Sequence, residues 1–106
     1  SSPPLSSLLL TAFPVTHCWD AAGCTLRYAG LSVCYTGDTR PSASVVESAR
    51  GADVLIHEAT FRDEERDMAV RKRHSTREEA RAVAKEAKAK CLIMTHFSQR
   101  YGVGGG

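Results

Sequence analysis

Four apolar runs in this 106-residue chain each lead into a histidine or an acidic residue, and this arrangement constrains the fold more than any other feature. The clearest run is Leu31–Tyr35, which is followed by Thr36 and the loop Gly37-Asp38-Thr39-Arg40-Pro41. An apolar run that ends in glycine and proline is typical of a buried strand followed by a turn. Such a strand fixes the backbone beside Asp38, whose carboxylate can then face a cleft. Asp38 is therefore the first candidate metal ligand.

The other three runs end in comparable residues: residues 8–13 lead to His17, residues 53–56 to His57 and Glu58, and residues 91–94 to His96. Histidine and carboxylate are donors that zinc and manganese take, and a sheet edge can gather donors from separate strands around one ion. The pattern indicates a catalytic metal site rather than a zinc finger. Each residue also has an ordinary alternative: His17 and Asp38 suit turns or caps, and His57 and His96 suit hydrogen-bonded histidines.

Glu58 and His74 have a further interpretation of their own. They are either polar surface groups or a carboxylate–imidazole pair, in which Glu58 orients His74 and holds its proton for transfer. The spacing in the sequence leaves both readings open.

The remaining sequence predicts alternating strands and helices. Two apolar runs flank Ala29-Gly30, which indicates a hairpin. A short helix capped by Ser42 or Ser44 should follow and end at Gly51. Its buried face should contain Val45, Val46 and Ala49.

The second half of the chain predicts further helix and a last strand. Residues 62–73 are densely charged and indicate a helix or an ordered loop. Ser75 and Glu78 have the spacing of a capping box. The helix that it opens should pack through a narrow face of small residues, namely Ala80, Val83, Ala84 and Ala87.

These elements predict an α/β (α+β) fold, with a mixed sheet covered by helices on one face. Residues 1–106 would form one partial domain, with a loop or linker at 1–7 and a flexible tail at 102–106. The other face of the sheet needs a second layer, which nothing in the chain obviously supplies.

Composition narrows the class of protein. A net charge of +2 is too small to indicate nucleic-acid binding from bulk charge. The four cysteines include no Cys-x-x-Cys pair and indicate buried, reduced thiols in an intracellular protein, without distinguishing nucleus, mitochondrion and cytoplasm. The apolar stretch at 8–15 is too short to cross a bilayer, so we expect no membrane segment and no signal peptide.

Five motifs occur together in register over roughly residues 8–101, and as a set they resemble the C-terminal part of tRNase Z, most closely its long form. This family comprises tRNA 3′-processing endonucleases of the metallo-β-lactamase fold. The motifs are Pro14-Val15-Thr16-His17-Cys18, Gly37-Asp38-Thr39-Arg40-Pro41, Ala52-Asp53-Val54-Leu55-Ile56-His57-Glu58-Ala59-Thr60-Phe61, His74-Ser75-Thr76 and Thr95-His96-Phe97-Ser98-Gln99-Arg100-Tyr101.

The resemblance implies roles for individual residues. His17, Asp38 and His96 would be metal ligands, with Asp38 bridging two zinc ions and manganese as the alternative metal. Glu58 and His74 would pass a proton to the leaving oxygen. Thr39 and Thr76 would support their neighbours. His57 matches a position that is not a ligand.

The family's His-x-His-x-Asp-His motif is absent from the sequence. The resemblance therefore implies the C-terminal half of an αββα sandwich, inactive alone, whose missing half lies in the same or another chain. A homodimer is a further arrangement. The implied substrate is precursor tRNA, and Arg71, Lys72 and Arg73 either contact its phosphates or form a solvated helix face.

Two alternative functions stay open. One is another hydrolase of the same fold that acts on thioesters, lactams or small phosphodiesters. The other is a non-catalytic module that binds a partner through the uncovered sheet face.

Overall fold

Five strands form one sheet in the computed structural model, which describes residue 4 and residues 7–14 and 22–95. The strands lie in sequence order: β1 (Leu9–Pro14), β2 (Ala22–Tyr28), β3 (Leu31–Tyr35), β4 (Val54–Glu58) and β5 (Leu92–Thr95). The pairs β1–β2 and β2–β3 are antiparallel, whereas β3–β4 and β4–β5 are parallel. This mixed sheet confirms the predicted fold class. The predicted linker at 1–7 and tail at 102–106 lie mostly or wholly outside the described residues.

The helices follow the strands that they connect. Helix α1 (Ala43–Ala49) lies between β3 and β4, and a 3₁₀ turn (Asp63–Glu65), α2 (Arg66–Lys72) and α3 (Arg77–Ala87) lie between β4 and β5. The charged segment is therefore a 3₁₀ turn continued by a separate helix. None of the helices in the described ranges is long and apolar enough to span a membrane.

The hairpin between β2 and β3 is formed as predicted. Ala29 and Gly30 have φ angles of 54° and 80°, and two consecutive positive values are the mark of a tight hairpin turn that matches the twist of the strands. The turn fixes the register, in which Leu26 pairs with Val33.

The two helix caps differ in how well the sequence predicted them. Ser42 caps α1 and accepts a hydrogen bond from the backbone of Val45, as expected. The cap of α3 is Thr76, which pairs with Glu79 in a capping box, so the prediction of Ser75 and Glu78 is wrong by one residue. The hydroxyl of Ser75 donates to the backbone oxygen of Thr39 at 2.6 Å instead.

Strand boundaries also shift. His57 and Glu58 belong to β4, although we expected them just beyond its end. β5 begins at Leu92, and Cys91 is an exposed free thiol rather than a buried one. Cys34 is buried as expected.

One face of the sheet carries the hydrophobic core. Helices α1 and α3 pack on each other and on this face. Their apolar side chains meet the inward side chains of the strands, and the buried cluster contains Phe13, Cys34, Val45, Val46, Ala49, Ala52, Leu55, Val83 and Ala87. Burial of these side chains is the main stabilising term of the fold.

The opposite face of the sheet is apolar but open. Strand register aligns two rows of side chains across it, Leu10-Leu26-Val33-Val54 and Ala12-Cys24-Tyr35-Ile56-Ile93. The exposed fraction reaches 65% at Leu10 and 47% at Ile93. We call this surface the open face. The expectation that the helices cover only one side of the sheet is thus met.

Candidate active site

A buried carboxylate, Glu58, organises the edge of the sheet where β3 and β4 end. Its side chain is fully buried and accepts hydrogen bonds from four backbone or hydroxyl donors. The Oε1 atom lies 3.0 Å from the backbone nitrogen of Thr39 and 3.1 Å from that of Ser75. The Oε2 atom lies 3.0 Å from the backbone nitrogen and 2.9 Å from the hydroxyl of Thr60. These contacts satisfy a group whose burial would otherwise be costly.

The imidazole of His74 is the fifth donor to Glu58. Its Nδ1 atom lies 2.8 Å from Oε1 of Glu58 and 3.3 Å from the hydroxyl of Thr60. The ring also meets the edge of Phe61, with centroids 5.9 Å apart. An ionised carboxylate can only accept, so Nδ1 carries a proton and Nε2 is the ring nitrogen that faces away from Glu58.

Two features place His74 in this position. Helix α2 ends at Lys72 and is capped by Arg73, which adopts a left-handed conformation with φ of 60°. The chain then reverses so that the backbone N–H of His74 donates to the backbone oxygen of Ala69 at 2.9 Å. The side chain stays half-buried, with 19% exposed. It can therefore reach both Glu58 and solvent.

Asp38 lies beside this pair. One ligand atom from each of Asp38, Glu58 and His74 lies within 4.8 Å of the other two. Glu58 does not fit a ligand role, because both of its oxygens already accept hydrogen bonds. Asp38, a half-buried carboxylate in the loop after β3, fits an oxygen ligand for zinc or manganese. The cluster is thus one candidate ligand next to a hydrogen-bonded carboxylate–imidazole pair.

His17 and His96 were predicted as the other ligands, and both lie outside the described residues. β5 ends at Thr95, at the same sheet edge as Glu58, with which Thr95 is paired. Their ligand roles stay predictions.

His57 faces the helices, on the opposite side of the sheet from Glu58. It is fully buried, and its Nδ1 donates to the backbone oxygen of Glu58 at 2.8 Å. Its Nε2 has no hydrogen-bond partner within the part of the chain that the structure describes. Desolvation lowers the pKa of His57, against the opposing effects of the Glu58 carbonyl and of the charges on Glu58 and Glu79. The histidine is buried and neutral.

The supporting threonines have identifiable contacts. Thr39 donates its backbone N–H to Glu58, and Thr76 caps α3. No role was predicted for Thr60 or Arg40, and Ser75 was predicted only as the cap of α3, although all three lie in the quoted motifs. Their contacts join segments separated by 17 to 39 residues, apart from the local contact of Thr60, so sequence spacing alone does not reveal them.

The basic residues Arg71, Lys72 and Arg73 are exposed at the end of α2, directly before His74. Two of the nearby acids are engaged elsewhere, because Asp63 accepts from the backbone of Glu78 and Glu65 accepts from the backbone of Arg62. The three basic residues are thus close to His74 in sequence, and phosphate contact stays a prediction.

The sequence of this chain matches a known protein family and several characterised proteins. Residues 3–97 match the model of the beta-lactamase superfamily domain. The chain is 46% identical over 103 residues to "tRNAse Z TRZ4, mitochondrial" of Arabidopsis thaliana, and this match covers 87% of this chain and 11% of that protein. It is 47% identical over 92 residues to "Zinc phosphodiesterase ELAC protein 2 homolog" of Caenorhabditis elegans, with 87% and 11% covered.

A solved structure has the same fold. The human tRNase Z short form (ELAC1) superposes with a TM-score of 0.82 at 36% identity, covering 89% of this chain and 37% of that chain. The chain thus spans about a tenth of the two curated relatives and little more than a third of the human protein.

Proposed function

This chain belongs to the beta-lactamase superfamily, and on that premise we propose that it supplies the proton-transfer pair and part of the metal site of an endoribonuclease that removes the 3′ trailer from precursor tRNA. The proposal is carried by the contact of 2.8 Å between His74 and Glu58, beside the carboxylate of Asp38. The names of the two curated relatives, a tRNAse Z and a zinc phosphodiesterase, support the substrate class and the reaction.

The metal site that we propose has Asp38, His17 and His96 as its ligands from this chain. Asp38 would bridge two zinc ions, with manganese as the alternative. When bound, the ions supply charge stabilisation to the phosphate and activate water. Further ligands would come from a His-x-His-x-Asp-His segment, which this sequence does not contain.

The residues of this chain would then act on the leaving group. Cleavage of the phosphodiester expels the ribose 3′ oxygen, which needs a proton as its bond to phosphorus breaks. Because Glu58 holds Nδ1–H of His74, the proton for the leaving oxygen is carried on Nε2 of the imidazolium. Glu58 balances the positive charge of that acid form and fixes the ring plane. Thr60 holds the second carboxylate oxygen and so prevents Glu58 from rotating.

The partner that we propose for the open face is the complementary half of the domain, in the same chain or another. Two rows of apolar side chains with exposures up to 65% favour burial over solvation. Residues 1–106 would accordingly form the C-terminal half of one αββα domain. Native mass spectrometry distinguishes this occupant from a homodimer, because a second copy would double the mass without any added polypeptide.

A chimera tests the function directly. The matching 103-residue segment of the Arabidopsis relative is replaced by this chain, and cleavage of a precursor tRNA with a 3′ trailer is compared with hydrolysis of bis(p-nitrophenyl) phosphate. We expect trailer removal by the chimera, no cleavage by the 106-residue chain alone, and a loss of about 10²–10⁴-fold in kcat for His74→Ala. Lys88→Gln, at the distant end of α3, is the control.

A modified substrate isolates the proton-transfer step. A sulfur in place of the scissile ribose 3′ oxygen gives a thiolate leaving group, which departs without protonation. His74→Ala should therefore cleave this substrate nearly as fast as the unmodified chimera. Equal defects on both substrates would contradict the role of His74 as the acid, and hydrolysis of the small phosphodiester alone would indicate the alternative hydrolase.

Phosphate contact by the basic residues has its own test. Reversing the charges at Arg71, Lys72 and Arg73 in the chimera should weaken tRNA binding and flatten its salt dependence, because each phosphate contact releases counterions on binding. An unchanged salt slope would assign these side chains to a solvated helix face.

A further inference from the structure

Arg40 lies in the loop between β3 and α1, and its guanidinium faces the start of α3. Its Nη1 and Nη2 atoms each lie 2.7 Å from a different carboxylate oxygen of Glu79. Nη1 also donates to the backbone oxygen of His74 at 2.8 Å. The two side chains are largely buried, with 17% and 11% exposed. A two-point contact between guanidinium and carboxylate has a fixed geometry, so Arg40 holds the two segments at a set separation.

Glu79 connects this contact to the cap of α3. Its Oε1 accepts from the backbone N–H of Thr76 at 3.0 Å, while the Thr76 hydroxyl accepts from the backbone of Glu79 at 3.2 Å. Desolvation raises the pKa of Glu79, but hydrogen bonds from Arg40 and Thr76 and the charges of Arg40 and Arg66 outweigh it and hold the pKa below its ordinary value. Glu79 is therefore an ionised partner for Arg40.

The backbone of His74 is consequently held on both sides. Its N–H donates to Ala69 at 2.9 Å, and its carbonyl accepts from Arg40. The next residue, Ser75, donates its N–H to Glu58 and its hydroxyl to Thr39. With these atoms fixed, the imidazole meets Glu58 at one distance and through one nitrogen.

We infer that Arg40 is a positioning residue: by joining Glu79 to the carbonyl of His74, it sets the distance and the tautomer in which His74 meets Glu58. An arginine beside a phosphate-cleaving site is otherwise expected to bind phosphate directly. Here the guanidinium is already engaged by a carboxylate and a backbone oxygen, so its effect passes through His74. The effect on catalysis rests on the proposed function, whereas the effect on the imidazole does not.

Nitrogen-15 NMR of histidine side chains tests the positional claim in this chain. The variants are Arg40→Met, Arg40→Lys and, as control, Arg50→Met. The control removes an exposed salt bridge, in which Nη2 of Arg50 lies 2.6 Å from Oε2 of Glu47. We expect a single His74 tautomer, protonated on Nδ1, in the unsubstituted chain and in the control. Both Arg40 variants should give a mixture of tautomers, because a lysine ammonium cannot reproduce the fork of the guanidinium.

Two outcomes would overturn the inference. An unchanged His74 spectrum in Arg40→Met, together with a lower unfolding midpoint, would assign a purely structural role; if that variant does not fold, the spectrum of Arg40→Lys decides.

In the chimera, Arg40→Lys should lower kcat by about 10–100-fold and leave KM within about twofold. A loss confined to KM would indicate direct RNA contact. A chimera that is inactive before any substitution contradicts the proposed function and leaves the NMR result standing.

Discussion

Replacing Glu58 by glutamine should destabilise the protein strongly, because the amide cannot accept all of the hydrogen bonds that the carboxylate accepts. The –NH₂ group must take the place of Oε1, which faces three N–H donors, or of Oε2, which faces the N–H and hydroxyl of Thr60. The second orientation costs less, since the hydroxyl can turn and accept. The backbone N–H of the half-buried Thr60 then has no acceptor.

The size of the effect follows from these contacts. A buried donor left without a partner costs about 1–3 kcal/mol, and the remaining hydrogen bonds lose the extra strength that a charged acceptor gives. We therefore expect a loss of about 2–4 kcal/mol in the free energy of unfolding. With a urea m-value of about 1–2 kcal/mol/M, the midpoint falls by between about 1 and 4 M.

Urea unfolding followed by circular dichroism at pH 7 measures this change. Asp53→Asn is a matched control, because Asp53 precedes the same strand, β4, at its opposite end and accepts hydrogen bonds from Ser32 and Lys90. Its amide can keep the contact with Ser32, so its midpoint should move much less. Equal midpoints for the two variants would refute the reasoning that Glu58 is held by an all-donor environment.

Three further predictions concern individual residues. Gly23→Ala should lower stability by about 1–3 kcal/mol in urea unfolding, because a Cβ there would lie 2.6 Å from both Phe13 Cζ and Tyr35 O; an unchanged midpoint would contradict this. Burial lowers the pKa of His57 in the folded protein. The free energy of unfolding should therefore be highest above the pKa of about 6.5 that His57 has in the unfolded chain, and it should decline as the pH falls below that value. His57→Gln should flatten that decline. Arg73→Gly should raise the free energy of unfolding by about 0.5–1 kcal/mol by relieving the left-handed backbone, and a lower urea midpoint would argue against strain.

Features set by neighbouring residues were predictable from the sequence. The Ala29-Gly30 turn follows from the need for two positive φ angles, and the cap of α1 follows from a hydroxyl three residues before a free backbone N–H. The gathering of Asp38 and Glu58 at one sheet edge follows from the parallel pairing of β3 and β4, whose ends meet on the same side.

Features decided by distant contacts were not predictable. Ser75 and Thr76 are adjacent hydroxyls, each with a glutamate three residues later, so local pattern cannot choose between them. The choice is made by Arg40, which binds Glu79 from a position 39 residues away, and by Thr39, which takes the hydroxyl of Ser75. The environment of Glu58 likewise depends on chain segments that meet only after folding.

The hairpin turn at Ala29-Gly30 lies at the end of β3 opposite to Asp38, and it therefore offers a position for a label. β3 runs from this turn towards Asp38, and five residues that rise about 3.3 Å each separate the two ends by roughly 17 Å. Both turn residues are exposed. With the exposed Cys91 replaced by serine, a dye attached through a cysteine introduced at position 29 would lie at the opposite end of β3 from Asp38. It could then report binding of the proposed RNA substrate by energy transfer without contact with the proposed active site.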